Sequence, residues 1–164
     1  MNTTLDVFTD GEYDVKRLKE IYEINQDNVP DVGTLDSISK LKELISISSY
    51  HSILLLDNNV IGFSICFREG TSYWSENYKY FIKHLKKFLY VDRIAIDQNY
   101  RRQGLGKKVY KDIFLNAEQG DLTITAEVNT KPINQPSLIF HNNMGFKQIG
   151  KRDFDDHSVA YFIK

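Results

Sequence analysis

The chain has 164 residues, 41% hydrophobic and 26% charged, with a formal net charge of −1. That length suits one globular domain over residues 1–164, and the charge balance excludes nucleic-acid binding by bulk electrostatics. A lone cysteine, Cys66, permits no internal disulfide. No segment approaches the ~20 apolar residues of a membrane span and no basic-then-apolar leader opens the chain, so a cytoplasmic protein is expected.

In chain order, residues 4–9 read as a short edge strand. Residues 13–24 carry Val15, Leu18, Ile21 and Tyr22 at helical spacing. Residues 25–34, with Pro30 and Gly33, read as a loop holding Asn25, Asn28 and Asp31, and Ser37 is placed to cap a second helix bearing Leu41, Leu44 and Ile45. Residues 51–56 and 60–67 form two strands around Asp57-Asn58-Asn59. The second holds Cys66, which reads as a small buried hydrophobe. A polar loop (70–76) and a helical pattern over 78–88 follow. Residues 89–96 are apolar almost without interruption, which predicts a central strand covered on both faces.

A helix over 104–118 ends at Gly120. Residues 122–128 form a strand, Pro132, Asn134 and Pro136 mark a loop, and 137–143 make a short helix closed by Gly145. Strands over 146–150 and 159–163 complete the order, predicted to pair. The expected class is α/β (α+β), a mixed and mostly antiparallel sheet flanked by helices.

The chemistry concentrates at Arg101-Arg102-Gln103-Gly104-Leu105-Gly106-Lys107. This run follows an apolar strand and opens a helix. Glycine lets backbone approach an anion closely, and the unpaired amides of the first helical turn point at it. A Walker loop would continue Gly-Lys-Ser/Thr, whereas Gly106 is followed by Lys107-Lys108-Val109; a dinucleotide fingerprint would need a third glycine. The expected ligand is therefore an anionic cofactor with a pyrophosphate.

The pattern Arg-x-x-Gly-x-Gly resembles the acetyl-CoA loop of the GNAT superfamily of N-acetyltransferases. The segment Asn134-Gln135-Pro136-Ser137-Leu138-Ile139-Phe140-His141-Asn142-Asn143-Met144-Gly145-Phe146 is similar to that family's second signature, at the expected distance downstream. The likeness covers roughly residues 50–163. The blocks Tyr73-x-Ser75-x-Asn77-Tyr78, Tyr90-Val91-Asp92-Arg93, Glu127-Val128-Asn129 and Ser137-x-x-Phe140-His141 look like one bacterial branch of predicted acetyltransferases.

The resemblance implies a GNAT fold whose central strand pair splays to admit the pantetheine arm of acetyl-CoA. Backbone of Ile94, Ala95 and Ile96 would pair with that arm, and an N–H near Ile94 would polarise the thioester carbonyl. The pyrophosphate would be held by Arg101 and by the amides of Arg102, Gln103, Gly104, Leu105, Gly106 and Lys107. Asn134 and Ser137 would complete the cofactor site at the start of the last helix.

Direct attack by a neutral primary amine needs a base, and the resemblance places Glu127 there. Its competing role is a strand-end carboxylate facing solvent or pairing with Arg93. Many relatives carry a tyrosine acid where this chain has His141, which can also protonate a leaving thiolate. Tyr73, Asn77 and Asn129 are candidates for the acceptor pocket, while Asp92 and Arg93 read as a paired structural couple. The partner would be a small-molecule or peptide amine, with a homodimer a further expectation from the family. No histidine spacing suggests a metal site. A non-catalytic acyl-CoA-binding module is the second class compatible with these residues.

Overall fold

The structure, a computed structural model, describes residues 3–8 and 13–164. Among these residues, seven strands form one sheet in the order β1-β2-β3-β4-β5-β7-β6. β1 (Thr3–Phe8) pairs antiparallel with β2 (Tyr50–Leu56), and β2 with β3 (Asn59–Arg68). β3 pairs antiparallel with β4 (Phe88–Ile96), which meets β5 (Thr123–Lys131) in the sheet's parallel junction. β7 (Ser158–Ile163) lies antiparallel to both β5 and the edge strand β6 (Lys147–Asp153). This is the mixed, mostly antiparallel α/β architecture that the sequence predicts. Residue 9, the last of the expected first strand, lies outside the described residues.

Helices α1 (Val15–Asp27) and α2 (Ile38–Ile47) cover one face of the sheet. Their start points are chemical: Asp14 accepts the Arg17 amide at 2.8 Å, and Ser37 accepts the Lys40 amide at 3.1 Å. α3 (Glu76–His84) joins the same face, and Ser75 caps it on the Tyr78 amide. The opposite face carries α4 (Leu105–Gln119) and α5 (Gln135–Asn143). Each face thus has its own apolar core, with Phe63, Phe67, Phe81, Phe88 and Tyr90 on one side and Leu54, Cys66, Leu89, Val109 and Ile113 on the other.

Several boundaries differ from the periodicity. α1 continues to Asp27, so Asn25 belongs to the helix; it is fully buried because it binds the Arg93 guanidinium. The helical pattern over 78–88 stops at His84. Leu85 turns extended, and the Phe88 amide is captured by Glu69 Oε2 at 3.1 Å, which hands Phe88 to β4. β6 runs to Asp153 rather than 150 because its ladder to β7 continues through Asp153↔Ser158, although its exposed, polar residues have no apolar alternation.

Candidate active site

β4 and β5 pair only at Phe88↔Thr123, Leu89↔Ile124 and Tyr90↔Thr125. Beyond Tyr90 the ladder ends, while β4 stays bonded to β3 as far as Ile96↔Gly62. The backbone of residues 91–96 is therefore free of β5 on that edge, and a seam opens in the middle of the sheet. β7 pairs with β5 from Thr125 to Lys131 and holds it on the far side.

A cavity of about 850 Å³ lies along the seam. Ile94, Ala95 and Ile96 form its β4 wall, the 101–107 turn closes one end, and Asn134, Ser137, Phe140 and His141 line the α5 side. Of the residues expected to hold a cofactor, Gln103 alone is outside this lining.

The turn supplies the anion-binding geometry. Arg102 (φ +62°) and Gly104 (φ +75°) adopt the left-handed conformation, and Gly104 is the N-cap of α4. The first hydrogen bond of the helix runs from the Lys108 amide to the Gly104 carbonyl at 3.2 Å. The amides of Leu105, Gly106 and Lys107 precede it and have no helical acceptor. With the positive end of the helix dipole and the charges of Arg101, Arg102 and Lys107, this concavity fits a diphosphate. Arg101 is steadied by Asn28, whose side-chain oxygen accepts from its guanidinium. Gly106 packs under the ring of Phe140, which a Cβ would meet at 3.7 Å. Asn134 caps α5, its side chain accepting the Ser137 amide at 3.2 Å.

His141 is buried, and neither ring nitrogen is free. Nδ1 lies 2.8 Å from the Ser137 carbonyl oxygen and 3.2 Å from Ser137 Oγ, while Nε2 lies 2.7 Å from the Tyr110 hydroxyl. Burial lowers its pKa below the usual histidine range, so the ring is neutral at pH 7. Ser137 offers Nδ1 both an acceptor and a donor, which accommodates both neutral tautomers. In one, Tyr110 donates to Nε2. In the other, Nε2–H donates to Tyr110 and releases the hydroxyl proton toward the cavity that both side chains line.

On the α1–α3 face two carboxylates flank the mouth of the seam. Glu127 projects opposite to Ala126 and Val128, as strand alternation requires. Its Oε1 accepts from the Tyr90 hydroxyl at 2.8 Å and from Asn77 Nδ2 at 3.3 Å, whereas Oε2 is buried with no partner among the described residues. Burial, and after it the charge of Asp92, push its pKa up to about 8. Oε2 is shielded from solvent, and Arg93 pairs with Asp92 rather than with Glu127.

Asp92 and Arg93 do form a couple, Nε to Oδ2 at 3.0 Å. A β-bulge explains why neighbours in sequence share a face: Cys66 pairs with Val91 and Ile65 with Arg93, which leaves Asp92 as the extra residue. The Asp92 carboxylate also accepts from the Tyr73 hydroxyl at 2.5 Å, and Arg93 reaches Asn25 at 2.8 Å and the Gly33 carbonyl at 2.6 Å. Asn129 shares the face of Glu127 but donates to the Pro30 carbonyl at 3.2 Å.

Tyr110 and Tyr161 are site residues that no motif singles out, and Tyr90 and Asp92, though part of the block Tyr90-Val91-Asp92-Arg93, carried no expected contact with Glu127. The thiol of Cys66 is buried and its pKa is raised by burial, so it is inert. Among the described residues no group of side chains could hold a metal ion, and no helix is long and apolar enough to cross a membrane.

The sequence profile of the Acetyltransferase (GNAT) family matches residues 18–146, and the chain belongs to that family. Solved structures with the same fold include the NatC complex bound to Gag peptide and CoA (TM-score 0.76, 14% identity, covering 99% of this chain and 98% of that one). The ribosomal-protein-S18-alanine N-acetyltransferase from Escherichia coli aligns with TM-score 0.71 at 15% identity, over 99% and 92% of the two chains. A GNAT family acetyltransferase from Elizabethkingia anophelis with acetyl-CoA bound aligns with TM-score 0.66 at 13% identity, over 99% and 97%. Comparison with curated protein sequences gives no match.

Proposed function

We propose that this acetyltransferase moves the acetyl group of acetyl-CoA to a primary amine by direct attack. The observation that carries the proposal is the end of the β4–β5 ladder at Tyr90↔Thr125, beside a cavity whose far end is the Gly104 turn. The amides of residues 105–107, with Arg101, Arg102 and Lys107, hold the diphosphate. The free edge of β4 at residues 94–96 aligns the pantetheine arm, as one strand aligns another. When bound, the thioester supplies an activated acetyl group and a good leaving thiolate.

Glu127 takes the proton of the incoming ammonium. A carboxylate tuned to about 8 is matched to an amine that must lose a proton near neutrality. Tyr90 and Asn77 fix the oxygen that they bond, which leaves Oε2 to receive the proton. A main-chain N–H near Ile94 polarises the carbonyl oxygen. Protonation of the departing thiolate falls to the His141–Tyr110 pair, whose shared proton lies on the cavity wall. The amine nitrogen gains an acyl bond, the C–S bond breaks, one proton goes to Glu127 and one reaches sulfur.

Two measurements test this. CoA should raise the melting temperature while ATP at equal concentration should not, since a ligand stabilises by RT ln(1 + [L]/Kd). Thiol release from acetyl-CoA should depend on added amine. Stabilisation by CoA without thiol release from any amine would leave a non-catalytic acyl-CoA-binding module.

A further inference from the structure

Between β3 and β4 the chain inserts residues 70–87, including α3. This insertion crosses the open seam and is pinned on both banks. On the β4 bank the Tyr73 hydroxyl holds Asp92, the Tyr73 ring stacks on Phe67 (centroids 4.2 Å apart, planes at 16°), and Phe81 packs against Phe88 and Tyr90. On the opposite bank Asn77 links Glu127 to the Tyr161 hydroxyl, which donates to it at 2.8 Å. Tyr80 stacks on Tyr161 with centroids 3.9 Å apart and planes at 11°, and Glu76 pairs with Arg152 of β6 at 3.1 Å.

A second crossing lies at residues 28–33. Asn28 Nδ2 donates to the Ile96 carbonyl at 3.5 Å, and Asn129 of β5 donates to the Pro30 carbonyl. The seam therefore lies under two crossings on the face that carries Glu127.

Resting on the transferase proposal above, we infer that the acceptor is a small primary amine on a slender apolar body, and that α3 selects it against peptide and protein chains. An extended peptide needs an open groove along which its backbone groups find partners. Here that ground is occupied by Tyr73, Asn77 and Tyr80. Beneath α3 lie the buried, unpartnered Glu127 Oε2, which would receive an ammonium, and the rings of Tyr73, Tyr90 and Tyr161, an aromatic surround that favours a cation. An amine only a few atoms wide fits under such a roof, and a chain of linked residues does not.

The test is thiol release at saturating acetyl-CoA. The probes are benzylamine, 2-phenylethylamine, 1,4-diaminobutane, a heptapeptide with a free N-terminus, and the same peptide N-acetylated with one internal lysine. The expected kcat/KM for the best small amine exceeds that of either peptide by about 100-fold. A peptide equal to or better than the small amines overturns the inference while leaving the transferase reading intact. Absence of thiol release from every probe, with CoA still raising the melting temperature, overturns the transferase reading and this inference with it.

Loosening the roof supplies the second arm. Tyr80→Ala removes the stack on Tyr161, and Arg152→Ala releases Glu76 from the exposed side of α3. Each should raise the peptide-to-small-amine ratio of kcat/KM by about tenfold at unchanged CoA affinity. A ratio that neither variant moves overturns the role assigned to α3.

Discussion

The Tyr90 hydroxyl donates to Glu127 Oε1 at 2.8 Å across the place where β4 and β5 part. The bond joins the last paired residue of one strand to the first free carboxylate of the other. It also sets the proton affinity of that carboxylate, because a donor to the ionised form lowers a pKa that burial and Asp92 raise. On the proposed mechanism, kcat/KM rises with pH through an apparent pKa near 8. Glu127→Gln should remove that limb and cost about 10²–10⁴-fold in rate above pH 8. Tyr90→Phe should move the limb to higher pH. A pH profile of wild type and both variants checks all three outcomes.

The same carboxyl makes stability depend on pH. Its folded pKa, about 8, exceeds its unfolded value near 4.5, so the folded state holds the proton more tightly. The stability it contributes is complete below about pH 4.5 and is lost as pH rises through 8. Asp92, also raised by burial, acts in the same direction. Glu127→Gln keeps the shape without the buried charge. Its melting temperature should therefore gain on wild type as pH increases, by roughly 10 °C at pH 9 relative to pH 5. Thermal denaturation at the two pH values reads the difference.

The imidazole of His141 separates a catalytic role from a packing role. His141→Phe keeps an aromatic ring against Phe146 and Phe162 but removes both ring hydrogen bonds. If the pair with Tyr110 protonates the thiolate, His141→Phe and Tyr110→Phe both lower kcat, by about 10-fold or more, and leave the Kd for CoA within a factor of about two. A change in melting temperature at unchanged kcat assigns the pair to packing alone.

Gly104 tests the anion cradle. A Cβ there would meet open space, so the cost of Gly104→Ala comes from its left-handed backbone at φ +75° and not from a clash. That cost is about 1 kcal/mol, and any relaxation of the turn also spreads the amides apart. Gly104→Glu adds a negative charge beside the diphosphate and should abolish CoA binding, whereas Gly106→Ala meets Phe140 at ordinary contact distance and should cost little. Calorimetric titration of CoA into the three variants orders them.

Much of the fold was legible locally. The strands around Asp57-Asn58-Asn59, the cap at Ser37, and the helix after Gly104 follow from residue types that act within one or two turns of chain. Where the reading slipped, a distant residue decided. α3 ends at His84 because Glu69 claims the Phe88 amide, and α1 keeps Asn25 because Arg93, 68 residues away, binds it. β6 was hard to delimit because nothing but its ladder to β7 makes it a strand.

The candidate site divides in the same way. The glycine turn and its basic residues are a contiguous motif, so an anion cradle could be read from them directly. Glu127 and Asn77 stood out one at a time, but their contact bridges 50 positions. The bulge that turns Asp92 onto the face of Arg93 left no mark in the alternation of β4, and Tyr110 is one of several apolar or aromatic residues on the buried side of its helix, with nothing local to set it apart.

By itself, then, the amino-acid order determined the elements, the faces they bury and the anion-binding turn, because hydrophobic period, capping and glycine conformation act over a few residues. The tertiary structure alone decided that the β4–β5 ladder stops at Tyr90, that the charge of Asp92 acts on Glu127, and that Asn77 of α3 reaches Glu127. Those outcomes depend on strand register and on contacts between positions far apart in the chain, and no local pattern of side chains encodes them.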